Sequence, residues 1–64
     1  MNLNQSSGLE PLLTINDVAD LCQVSTKTVR RWIEVGDLVA HKLGRQWRIS
    51  YEDLQTFIRI RRVA

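Results

Sequence analysis

Residues 14–36 read TINDVADLCQVSTKTVRRWIEVG, and the placing of caps and apolar residues within them decides the architecture. Thr14 fits a helix start: its hydroxyl can accept from the amide three residues on, and Asp17 puts an acid in the first turn, where the helix dipole favours it. Ile15, Val18, Ala19 and Cys22 then recur at i, i+3, i+4 and i+7, one face of a short helix, with Asn16, Asp17 and Asp20 turned away. Gln23-Val24 does not extend that face, and Ser25 offers a new cap. In the second helix Val29 and Ile33 define the buried side, flanked by Thr26 and Trp32. Lys27, Arg31 and Glu34 lie opposite, with Thr28 and Arg30 beside them. Gly36 suits the left-handed residue that closes a helix. Two short helices joined by about three residues follow, the second with a cationic outer face.

Outward from that pair, Leu38–Leu43 and Gln46–Ile49 read as a hairpin around Gly44-Arg45, with glycine supplying the positive φ of a tight turn. Its loop carries Lys42, Arg45 and Arg48. His41 reads as a hairpin surface residue, and Trp32 and Trp47 as core flanks. Ser50-Tyr51-Glu52-Asp53 is a third helix start, with Leu54, Phe57 and Ile58 as its apolar anchors and Tyr51 on the flank. Residues 1–11 read as a flexible tail, 12–60 as one domain and 61–64 as a basic C-terminal tail. Glu52 and Asp53 point to different faces, so first-turn charge explains them better than a catalytic pair. Cys22 reads as a small buried core residue.

Composition narrows the function classes. The chain has 64 residues, 44% hydrophobic and 25% charged, with a net charge of +2. That is one small globular domain at most. The first 26 residues hold three acids and no Lys or Arg; residues 27–64 hold all nine cations against four acids. A basic half on a small domain points to an anionic partner, nucleic acid first. One cysteine and one histidine form neither a disulfide framework nor a four-ligand zinc site. No cofactor and no metal is expected. A phosphate loop, a nucleophile triad and room for a lined cleft are all missing, so the expectation is a protein that is not an enzyme. Apolar runs stop at two or three residues, as in Leu38-Val39-Ala40, far short of a membrane span. A reduced, cytoplasmic and nucleoid-associated protein is expected.

The order helix, tight turn, helix, hairpin, helix meets the requirements of a helix-turn-helix with a wing: mostly α with a small β-hairpin, three short helices and a two-stranded wing. A duplex major groove, about 12 Å wide, accepts one helix with an apolar inner and a cationic outer face. On Leu13-Thr14-Ile15, Val24-Ser25, Thr28-Val29-Arg30, Gly36 with Leu38, Gly44-Arg45, Arg48-Ile49 and Asp53-Leu54, the chain resembles the excisionase branch of the MerR-like winged helix-turn-helix domains over residues 12–58. One departure is Gln23, where that family often has Gly or Asn, which implies a less relaxed turn.

The resemblance places the recognition helix on Ser25–Val35. It implies phosphate contacts from Ser25, Thr26 and Thr28 and base reading by Lys27, Arg30 and Arg31. It also sets Arg45 at the wing tip, in the minor groove or along the phosphates, with Lys42 and Arg48 beside it; a plain strand-edge cation is the other reading of Arg48. It further implies that Arg59, Arg61 and Arg62 meet a partner, an integrase of the tyrosine or serine recombinase type; a simple phosphate contact competes with that role. The expected function is a DNA-bending recombination directionality factor that drives excision. A small MerR-like transcription regulator, or a protein-interaction module on the same fold, are the alternatives. No heptad seam follows Ile58, so a monomer is expected in solution, assembling head to tail on double-stranded DNA, with no membrane role.

Overall fold

The computed structural model describes residues 11–61. Helix α1 spans Ile15–Cys22, α2 Thr26–Glu34, strand β1 His41–Leu43, β2 Gln46–Arg48 and α3 Tyr51–Arg61. The chain is mostly helical, with one antiparallel two-stranded wing, as a winged helix-turn-helix requires.

Local chemistry accounts for most element ends. The Thr14 hydroxyl accepts from the Asp17 amide at 3.0 Å, and the Asp17 carboxylate accepts from the Thr14 amide at 3.0 Å. This reciprocal capping box satisfies two otherwise orphaned N–H groups. Ser25 caps α2 by accepting from the Thr28 amide at 3.1 Å, and Ser50 caps α3 by accepting from Asp53 at 2.9 Å. Gln23 closes α1 with φ 58° and ψ 48°, the left-handed region expected of Gly or Asn. Its amide and that of Val24 donate back to the carbonyls of Asp20 and Ala19. Gly36, at φ 85°, turns the chain after α2, and Gly44, at φ 65°, makes the wing turn.

The core gathers Val18, Ala19, Val29, Ile33, Leu38, Ile49, Leu54 and Phe57. It draws on α1, α2, α3 and the segments flanking the wing. Ile15, Cys22, Trp32 and Trp47 pack around it, half-buried. A single antiparallel bridge between Leu13 and Ile49, with both hydrogen bonds at 2.8 Å, ties the lead-in of α1 to the outgoing end of the wing. The wing is thereby fixed to the body at its root.

Three expectations are corrected. The strands are only three residues each: Leu38 lies outside β1 because its amide turns back to the Trp32 carbonyl and its side chain plugs the core. Ile58 is 42% exposed rather than an anchor, since the buried side of α3 is centred between Leu54 and Phe57 and Ile58 falls on its flank. Arg61 belongs to α3 and packs, instead of opening a free tail. The expected N-terminal tail at residues 1–10 and the tail residues Arg62, Val63 and Ala64 lie outside the described residues. No helix among the described residues is long and apolar enough to cross a membrane.

Candidate nucleic-acid interface

A groove of about 440 Å³ opens between α1, α2 and the wing. Thr14, Ile15 and Asn16 at the start of α1 form one wall, Thr26 and Arg30 of α2 another, and Lys42, Arg45, Gln46, Trp47 and Arg48 of the wing the third. Four cations and no acid line it. Asp17 is adjacent in sequence, but its carboxylate is held by the capping box.

The hairpin register explains the wing's contribution. Lys42 stands directly opposite Trp47, and its ammonium lies 4.8 Å from the indole centroid, a cation–π contact. Arg48 is half-buried and steered locally. Its guanidinium donates to the Trp47 carbonyl at 2.9 Å and to the Gln46 side-chain carbonyl at 2.5 Å. Arg45 sits in the turn, exposed, with no ion pair among the described residues. The wing thus offers one exposed cation in the turn and two that are held by neighbours.

The sequence-derived candidates on α2 separate into two rows. Thr26 and Arg30 face the groove, four residues apart on one side of the helix. Lys27 and Arg31 make a second exposed row on the outer crest. Ser25 and Thr28 are more occupied than the sequence suggests: their hydroxyls lie 3.0 Å apart, and Ser25 also caps the helix. Arg59 is exposed beside Tyr51, Gln55 and Ile58 along a shallow depression on the outer side of α3. Arg61 instead pairs with Asp37 at 2.6 Å.

Sequence reasoning missed Asn16 and Gln46 as groove residues and Asp37 as the partner of Arg61. Asn16 was readable only as solvent-facing, because the groove exists once α1 and the wing meet. His41 Nε2 lies 3.9 Å from Asp53 Oδ2, so this exposed residue also has a neighbour on α3. Burial raises the Cys22 thiol above its ordinary pKa, which favours the neutral thiol.

The model of the family described as "Helix-turn-helix domain" matches residues 12–62. The chain belongs to that family. Neither the search of curated proteins nor that of solved structures returns a match. As a helix-turn-helix domain it has DNA as its expected partner, and the family is typically non-enzymatic. The cationic groove beside its second helix runs on into the wing.

Proposed function

We propose that this helix-turn-helix domain is a sequence-specific, DNA-bending architectural protein that acts as an excisionase, assembling on DNA and directing an integrase towards excision. The observation that carries DNA binding is the acid-free groove in which Arg30 of α2 meets Lys42, Arg45 and Arg48 of the wing. A duplex presented to that side meets α2 in its major groove and the wing against an adjacent phosphate run. Lys27, Arg30 and Arg31 read base edges; an Arg held bidentate by guanine is worth roughly 1–3 kcal/mol of discrimination. Thr26 and the wing cations hold phosphate and set register.

The excisionase role rests on the resemblance of the motif set, and assembly on complementary surfaces. Asp17, Asp20 and the exposed Leu21 give α1 an acidic and apolar outer side, opposite in charge to the wing. Copies on directly repeated sites set one domain's α1 against the next domain's wing, an interface that need not close and so extends along the duplex. Arg59, exposed on α3, is the described residue left to meet an integrase.

Gel shifts on duplexes carrying one, two and three direct repeats test this reading, followed by an excision assay with an integrase of the tyrosine or serine recombinase type. Stepwise shifts, increasing DNA bend and stimulated excision are expected. A preference for inverted repeats, or a stable dimer in free solution, contradicts it and moves the domain towards dimeric transcription regulators.

A further inference from the structure

The C-terminal end of α2 is tied to the C-terminal end of α3 by a closed circuit of contacts. The Arg61 guanidinium pairs with the Asp37 carboxylate at 2.6 Å and lies 4.7 Å from the Phe57 ring centroid. Phe57 packs against Trp32 with ring centroids 4.7 Å apart and planes tilted by 43°. Asp37 in turn is bound to the last turn of α2, its amide donating to the Trp32 carbonyl at 2.9 Å. Both arms of the circuit therefore end on Trp32, one through its ring and the other through its carbonyl. Trp32 follows Arg30 and Arg31 directly in the same helix. The backbones of α2 and α3 approach each other little compared with those of α1 and α2, so side chains carry most of this junction.

We propose that Arg61 is a positioning residue for the recognition helix: with Asp37 and Phe57 it sets the angle at which α2 presents Lys27, Arg30 and Arg31. The inference rests on the DNA-binding reading above and replaces, for Arg61, both a partner contact and a phosphate contact. Its guanidinium meets Asp37 and lies over the face of Phe57, although the Arg61 side chain remains 47% exposed. A guanidinium suits this position because its plane can lie on an aromatic face while its edge meets a carboxylate. Its charge also suits the last turn of α3, where the helix dipole favours a cation. Releasing the latch lets α2 pivot about its capped N-terminus, which misplaces base contacts more than phosphate contacts.

The test uses the full chain and two duplexes of equal length, one selected by the protein from a random-sequence pool and one unselected. Arg61→Ala is expected to lower affinity for the selected duplex about fivefold and for the unselected duplex less than about twofold. The slope of log K against log salt stays unchanged. Asp37→Asn is expected to shift both affinities in the same direction as Arg61→Ala, and Arg61→Lys to recover part of the loss. A salt slope shallower by about one contact for Arg61→Ala, with Asp37→Asn tightening binding, overturns the inference in favour of a phosphate contact. An equal fall on both duplexes shows only a loss of folded protein and also overturns it. Unchanged binding to both duplexes overturns it too and returns Arg61 to a partner role. Should the wild-type chain bind neither duplex, the DNA-binding reading fails instead. Thermal unfolding of the two single variants and their double variant then decides the latch, and additive effects of Asp37→Asn and Arg61→Ala overturn it.

Discussion

The two ends of α2 are held in different ways. At its start, Ser25 reaches three residues along its own chain to cap α2, and the turn before it is closed by Gln23 through neighbouring carbonyls. At its end, Asp37 reaches across 24 positions of sequence to Arg61, and Trp32 reaches Phe57. The first end is fixed by bonds a short peptide could form. The second exists only once α3 has docked. The local end keeps the helix a helix, while the distant end joins it to α3.

Between the two ends lies the core, and breaking it should have the largest effect. Leu38 is 1% exposed and sits in the core with Val29 and Ile33 of α2. Leu38→Ala is expected to cost about 3 kcal/mol, a large part of the stability of so small a domain. Denaturant unfolding measures it; a loss under about 1 kcal/mol means that the two ends hold α2 without the plug.

The local end is next. Ser25→Ala removes the cap and leaves the Thr28 amide without its side-chain partner, for about 1 kcal/mol. Fraying should appear at residues 26–28 in amide exchange and leave Trp32 unaffected. If the Trp32 environment changes equally, the two ends are not independent.

The turn before α2 can be sharpened rather than broken. Gln23 holds a left-handed backbone that costs a non-glycine residue on the order of 1 kcal/mol. Gln23→Gly relieves it and is expected to raise stability by about 0.5 kcal/mol, after the greater freedom of glycine in the unfolded chain is deducted. A fall in melting temperature would show that the Gln23 side chain itself contributes.

The smallest effect concerns Cys22, at the end of α1. Burial raises its thiol pKa, so the folded chain favours the neutral thiol. The sign follows: this contribution to stability is fully present below the ordinary thiol pKa and is lost as pH rises through the raised one. Alkylation at neutral pH should be slower than for a free cysteine and accelerate at alkaline pH. Free-cysteine rates at pH 7 would contradict the burial.

The same contrast explains how much could be read in the sequence. Thr14, Ser25 and Ser50 announced three helix starts because a cap and its target lie three residues apart. Val29 and Ile33 announced the inner side of α2 through helical period alone. The candidates Arg30, Lys42, Arg45 and Arg48 were legible as cations, and the structure brings these four into one groove. The contacts that were not legible join distant segments. Nothing local marks Asp37 as the partner of Arg61, or Leu13 as the bridge partner of Ile49. Ile58 misled because an apolar residue one step from Phe57 looks like core until the packing direction of α3 is known.

The groove between α2 and the wing is proposed to take a DNA backbone. Fluorescence anisotropy of a labelled duplex, titrated with the protein across a series of salt concentrations, tests it directly. Lys27, Arg30, Arg31, Lys42, Arg45 and Arg48, if all engaged with phosphate, give a slope of log K against log salt near −5, shallower for each cation that reads bases instead. Replacing Arg45 and Lys42 together by alanine should make the slope shallower by about two. A wild-type affinity that does not change between low and physiological salt would contradict the account.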